Sequence, residues 1–355
     1  MEPKKSLLVG TKWGETHAKA YRLCRDIRLV GICGHSNAEQ LEAMRKEYNI
    51  PYASFNLAEL IELTRPDVID VACNPHYRLE AVQIAVNFDY VKLINLEKPV
   101  SLTPQDAYEI ERLCREHNKL LTVNHQKKRL PAWCKAKAII ESGEIGIVEF
   151  FRASCQGNIL EQGTHLMDMV MFFNGYPSIR WVSGQVEELE GMNKSAGAAP
   201  DSAVAQICFE NDVRASFEFG SCGRDLPGES NKWFRFFVEA YGSRGKIRIG
   251  LNSNLETFIY GDDKLPGRTT VEPSEWGVHY VQAMADHLDS LSRYIDQPEK
   301  GHMSDLDKSM MSFQAIMGVY KSSLDGGFVQ FPQKFQENLV DRLRAASIPY
   351  ERRRV

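Results

Sequence analysis

The chain has 355 residues, enough for two domains, and is 43% hydrophobic and 25% charged, the proportions of an ordinary water-soluble globular protein. A formal net charge of −4 with both signs interspersed argues against a nucleic-acid partner or an anionic membrane surface. No apolar run approaches the ~20 residues that span a bilayer, and the eight cysteines contain no Cys-x-x-Cys pair, which points to reduced thiols in a cytoplasm and to no zinc site or disulfide framework.

The opening MEPKKSLLVG has too short an apolar core for a targeting signal and reads as the lead into a first strand. Up to about residue 150, short apolar runs alternate with amphipathic helical patterns. Strands are predicted at 6–10, 27–33, 68–73, 91–95 and 120–124, with helices near 15–25, 37–48, 56–63, 78–88 and 104–118. Thr103, Pro104 and Asp106 predict the start of the last of these helices: a capping hydroxyl, a proline at the first helical position and an acid in the first turn. Strand runs apolar on both faces and separated by helices predict an α/β fold, a doubly wound parallel sheet of Rossmann-like type.

A helix near 133–142 hands the chain to a second half with a different pattern. Strands are predicted at 147–157, 179–189, 202–211, 213–222, 232–242, 245–250 and 255–261, with turns at Asn211-Asp212 and Ser243-Arg244. Two helices follow near 277–296 and 304–325, and then FVQFP. Long, partly alternating strands suit a large, mainly antiparallel open sheet, so this half is expected to be an α+β domain. The expected boundaries are 1–125 for a dinucleotide-binding domain, 126–335 for a substrate and oligomerisation domain, and 336–355 for a C-terminal tail. Residues 192–201, MNKSAGAAPD, read as a small-residue loop, and Arg352–Arg354 as a solvated end.

In open parallel sheets, ligands bind beyond the carboxyl ends of the strands. The five predicted strands of the first half run out into Gly10-Thr11-Lys12-Trp13-Gly14, Gly34-His35-Ser36, Asn74-Pro75-His76, Glu97-Lys98-Pro99 and Asn124-His125-Gln126. All but Pro99 and His125 are candidate cofactor-binding residues. The first turn lies where a dinucleotide-binding protein carries G-x-G-x-x-G, but it is one residue short and lacks the middle glycine. Gly10 still permits a tight turn and Gly14 close helix–strand packing, the helix start offers unpaired N–H groups, and Lys12 offers a charge.

Three further segments carry a resemblance: NLEKPVSLTPQDA (95–107), SGEIGIVEFFRAS (142–154) and LEQGTHLMDMVMFFNG (160–175). In that order and spacing they resemble the glucose–fructose oxidoreductase / inositol dehydrogenase / MocA family of NAD(P)-dependent oxidoreductases, over nearly the whole chain. Gly14-Glu15-Thr16-His17-Ala18 matches the end of the family's fingerprint, and the shortened turn is similar to that of its thiazolinyl imine reductases.

The resemblance implies a bound NAD or NADP and direct hydride transfer. It implies that Lys98, before a cis peptide bond to Pro99, reaches the reacting oxygen and the nicotinamide ribose. It gives His165 a share in polarising that oxygen or moving its proton, with Glu161 standing where the family has Asp. It also implies a homodimer or homotetramer. No Asp or Glu ends the second strand, and His35 and Ser36 can donate to a 2′-phosphate, which tilts the expectation toward NADP(H). Arg45 and Lys46 read as solvated helix residues.

Arg129, Asn158, Gln162, Thr164, Asp168, His279 and Tyr280 are candidates to face substrate. The expected substrate is a small carbohydrate-like molecule: a sugar, amino sugar or cyclitol. Reduction of an imine or another carbonyl, redox-assisted glycoside cleavage, and a non-catalytic dinucleotide sensor stay open on the same residues. No metal is expected.

Overall fold

The structure is a computed structural model that describes residues 2–187, 199–226, 229–261 and 266–347. The loop at 192–201 therefore lies largely outside the described residues, and Arg352–Arg354 wholly outside them. The chain forms two compact units. One takes the residues up to Arg129 together with Tyr280–Met310; the other takes Leu130–His279 together with the residues from Met311 on.

The first unit alternates strand and helix throughout: β1 (Lys4–Val9), α1 (Gly14–Tyr21), β2 (Ile27–Cys33), α2 (Ala38–Glu47), β3 (Tyr52–Ser54), α3 (Leu57–Thr64), β4 (Val68–Val71), α4 (Arg78–Ala85), β5 (Leu93–Glu97), α5 (Pro104–Glu116) and β6 (Leu120–Asn124). The strands form one parallel sheet in the order β3-β2-β1-β4-β5-β6. The order reverses between β1 and β4, the switch point at which such sheets open a crevice. β4 and β5 are buried at every position, as strands covered on both faces must be. Thr103 caps α5 as its sequence predicts, its hydroxyl accepting the Asp106 N–H at 3.2 Å.

One helix of this unit comes from far along the chain. α8 (Trp276–Asp296) lays Met284, Ala285, Leu288 and Leu291 against Ala20, Tyr21, Ile27, Val68 and Leu93. The segment after it continues the association, with Ser304 accepting the Val123 N–H. The first unit is thus not one consecutive stretch.

The second unit begins with α6 (Pro131–Glu141), then β7 (Val148–Cys155), α7 (Gly163–Phe173), β8 (Ile179–Glu187), β9 (Ser202–Phe209), β10 (Arg214–Gly220), β11 (Phe236–Gly242), β12 (Gly245–Gly250), β13 (Asn252–Ile259) and β14 (Arg268–Glu275). α9 (Leu306–Asp325), β15 (Val329–Gln330) and α10 (Leu339–Ser347) follow α8. The sheet runs β14-β13-β12-β11-β7-β10-β9-β8-β15 and is antiparallel except where β10 meets β7. Asp212 turns the β9–β10 hairpin at φ 65°, and Ser243-Arg244 join β11 to β12. Residues 339–347 are helical where the sequence suggested only a tail, because Leu339, Val340 and Leu343 are buried.

Candidate functional site

The cofactor candidates all lie in the first unit, at or just beyond the carboxyl ends of β1, β2, β4, β5 and β6. Gly10 is the sterically demanding residue of the first turn. Its φ is +111°, and an added Cβ would stand 2.7 Å from the Ala72 carbonyl oxygen at the end of β4. The short turn is pinned from α2: Thr11 donates its hydroxyl to Gln40 Oε1 at 3.2 Å, and Gln40 Nε2 donates to the Thr11 carbonyl at 3.4 Å. Lys12 and Trp13 are exposed.

Gly14, which opens α1, does not have the packing role expected of it. A Cβ there would meet only the Leu8 side chain, at 3.5 Å, an ordinary contact. Gly10→Ala is therefore expected to cost at least about 2 kcal/mol, and Gly14→Ala to stay within about 1 kcal/mol of the wild type. Urea midpoints of the two variants check this; equal losses would mean that the turn is not built as described.

At the exit of β2, His35 and Ser36 are exposed, and the His35 ring lies against Tyr77 with centroids 4.3 Å apart. Arg45 and Lys46 are committed to Glu42 on α2, at 2.7 and 3.4 Å. Asn37 caps α2, and Glu39 brings a carboxylate into its first turn. After β4, Asn74 accepts the His76 N–H at 3.1 Å in a 3-10 turn that begins at Pro75.

Lys98 follows β5, and its bond to Pro99 is cis, as the resemblance implied. Its neighbour Glu97 was expected to touch cofactor, but its carboxylate is occupied within the protein, in part by Asn124 Nδ2. Glu97 Oε1 accepts from His17 Nε2 at 3.0 Å and from Asn124 Nδ2 at 2.5 Å, while Oε2 accepts the Lys98 N–H at 3.2 Å. Asn124 Oδ1 and Gln126 Oε1, both buried at this edge, have no hydrogen-bond partner among the described residues.

His17 lies at the centre of a buried polar network that the strand-end reading missed. On its other side, Nδ1 meets Asp70 Oδ2 at 2.8 Å. Asp70 also accepts from the Tyr21 hydroxyl at 3.0 Å and from Asn95 Nδ2 at 2.7 Å, and Asn95 Oδ1 meets Thr122 and His287. Burial opposes charge on His17, but Asp70 and Glu97 outweigh it and raise its pKa to about 10. Burial likewise opposes charge on Glu97, yet His17, Lys98 and Arg78 bring its pKa down to about 2. His287, buried beside other cations, is held well below the usual imidazole range. Two signals in the sequence marked this network: an aspartate inside the apolar run VIDVAC, and a histidine on the buried face of a helix.

In the second unit, His165 and Thr164 are buried in the first turn of α7. Asp168 is fully buried, and its Oδ1 accepts from the Tyr176 hydroxyl at 3.0 Å and from Ser312 at 3.3 Å. Through this oxygen Asp168 ties α7 to α9. Asn158 caps the approach to α7, its Oδ1 accepting the Glu161 N–H at 2.8 Å. Glu161 is exposed and Gln162 half-buried. His279 and Tyr280 are half-buried on α8 and fall in different units, and Arg129 meets His302 at 3.4 Å. Among the described residues no helix is long and apolar enough to cross a membrane, and no group of three or more metal-ligating side chains is placed to hold an ion.

A 3-2-1-4-5-6 parallel sheet with a glycine turn at its switch point and a lysine at the end of β5 defines a dinucleotide-binding fold. Residues 4–125 match the family described as "Oxidoreductase family, NAD-binding Rossmann fold", the glucose–fructose oxidoreductase / inositol dehydrogenase / MocA family that the motifs resemble. A D-glucoside 3-dehydrogenase of Escherichia coli is 23% identical over 231 residues, 59% of this chain and 64% of that enzyme, so the match spans just under two thirds of the relative's length. Among solved structures, an NAD-binding oxidoreductase from Klebsiella pneumoniae superposes with a TM-score of 0.78 at 17% identity, covering 93% of this chain and 99% of the other. A levoglucosan dehydrogenase in complex with NADH and levoglucosan gives 0.77 at 18% identity, covering 94% and 100%. At these identities the structures show the fold alone.

Proposed function

We propose that this protein transfers hydride between a nicotinamide dinucleotide and a hydroxyl or keto carbon of a sugar, amino sugar or cyclitol. The observation that carries this is Lys98, which ends β5 one strand from the switch point, on a backbone held by buried partners. The relatives that act on D-glucosides and bind levoglucosan support the substrate class.

The residues present fit a dinucleotide. The space a Cβ would fill at Gly10 is closed by Ala72, so the backbone takes a sharp turn there, and α1 starts four residues on with Lys12 exposed beside it. Thr11 to Gly14 would face the diphosphate, His35 and Ser36 the adenosine ribose, and the open acceptors of Asn124 and Gln126 the nicotinamide end. When bound, the nicotinamide supplies or accepts the hydride. Lys98 stabilises charge on the substrate oxygen as it develops, by hydrogen bonding and by its own charge. In the second unit, His165 is the candidate for proton transfer.

With Arg45 and Lys46 engaged by Glu42, a preference for NADP(H) rests on His35 and Ser36, and Glu39 in the same turn opposes it. Thermal unfolding with NAD+, NADH, NADP+ and NADPH tests the reading. A nucleotide at about 100 times its Kd stabilises by about 2.7 kcal/mol, a shift of roughly 4 °C for a chain of this size. The expected result is a selective shift, larger with the phosphorylated pair. A larger shift with NAD(H) reverses the preference, and no shift with any of the four in cofactor-free protein ends the reading.

A further inference from the structure

Lys98 stands between two residues whose positions are set from other elements. On the N-terminal side, the Glu97 carboxylate holds the Lys98 N–H and is itself held by His17 and Asn124. On the C-terminal side, the Pro99 carbonyl accepts from Arg78 Nη1. The same guanidinium donates to the Cys73 carbonyl, from Nε at 3.3 Å and from Nη2 at 3.2 Å. His17 and Arg78 are both buried. Both neighbours of the His17 ring are carboxylates, which only accept, so both ring nitrogens donate and the ring is a cation.

A helix packed on a sheet needs no such ions. A pair of apolar side chains would cover the same surface without desolvating two carboxylates and two cations. What the ionic contacts add is direction: they fix the backbone on both sides of one side chain. His17 also lies on α1, three residues after Gly14 opens that helix at the cofactor turn.

We propose that His17 and Arg78 are positioning residues for Lys98, and that His17 makes the helix at the cofactor turn the element through which dinucleotide binding orders the lysine segment. This rests on the reading of residues 10–14 as a dinucleotide site and of Lys98 as the group that meets substrate. It predicts that ordering at one end of α1 is felt at Glu97, 80 residues along the chain from His17.

Hydrogen exchange followed by mass spectrometry on the peptide spanning 93–103 tests it, with and without the nucleotide that gives the largest thermal shift. In the wild type, that nucleotide should slow exchange at Lys98 by at least about fivefold. In His17→Gln, exchange without nucleotide should rise about tenfold, the equivalent of one lost hydrogen bond, and the slowing should vanish, while the nucleotide Kd stays within about fivefold. Arg78→Lys should raise exchange without nucleotide but keep the slowing. Tyr21→Phe, which loosens Asp70 without touching Glu97, should leave the peptide as it is.

Glu97→Gln offers a second route if His17→Gln does not fold. It keeps the side chain's shape but leaves one acceptor oxygen for the three donors His17, Asn124 and the Lys98 N–H, and should behave as His17→Gln does. A folded, nucleotide-binding His17→Gln or Glu97→Gln protein with wild-type exchange and wild-type slowing would overturn the positioning role alone. A wild type that binds none of the four nucleotides would instead bring down the dinucleotide reading, and the coupling with it.

Discussion

Lys98→Ala is expected to lower kcat by at least about a thousandfold while leaving nucleotide affinity within about fivefold. The split follows from how the segment is built. Alanine keeps the backbone N–H that Glu97 Oε2 accepts, and it touches neither His17 nor Arg78, so the fold around the site should persist. What is removed is a charge at the end of β5, and a group that stabilises a developing oxyanion acts on the transition state far more than on the bound ground state. KM for substrate should therefore move much less than kcat. Lys98→Arg should recover only part of the rate, because a planar guanidinium does not place its donors where an ammonium does. The measurement is steady-state turnover on whichever polyol or keto-sugar gives activity, with nucleotide affinity from fluorescence titration. An alanine variant that keeps more than about a tenth of wild-type kcat would remove Lys98 from the chemistry.

The architecture was legible where strands are long and buried on both faces. Val68–Val71 and Leu93–Glu97 stand out as apolar runs between amphipathic helices, and that alternation admits little besides a doubly wound sheet. It failed at the edges. Tyr52–Ser54 is a strand of three residues, too short to show a period. Arg268–Glu275 is an edge strand, exposed at most positions and interrupted by Pro273, so no face of it alternates. The second helix set misled for another reason. The apolar stripe of residues 276–296 says that one face is buried, not which sheet buries it, and its C-terminal part covers Val68 and Leu93 of the first unit.

Within the site, backbone demands were easier to read than side-chain partners. Gly10 is required by a close approach of two strand ends, which the strand–glycine–helix pattern announces. Glu97 looks like a cofactor contact because it ends a strand at the binding edge; whether such a side chain points to a ligand or into the protein is settled by what lies behind it. Here a cation lies behind it. Arg78 gave no local signal, since an arginine at the start of a helix is ordinarily solvated.

His17→Gln is expected to destabilise the protein by about 3–5 kcal/mol near pH 6, because it leaves two buried carboxylates without their cation. The pH dependence identifies the cause. His17 has a folded pKa of about 10 against an ordinary 6.5, so its contribution is whole below about 6.5 and is lost as pH rises toward 10. Glu97 has a folded pKa of about 2 against an ordinary 4.5, so its contribution is present above about 4.5 and is lost as pH falls toward 2. The wild-type advantage over the variant should thus be greatest between about pH 4.5 and 6.5 and shrink steadily to pH 9.5. His287 and His302 carry the opposite sign: burial keeps them neutral, so they lower stability as pH falls below about 6.5. Tyr21, pushed well above its ordinary value by burial and Asp70, stays protonated throughout that range. Urea unfolding midpoints of the two proteins at intervals from about pH 5 to about pH 9.5 read the difference directly. A gap that stays constant across that range would mean that the folded protein holds no extra proton at His17 above its ordinary pKa, and the buried cation would be overturned.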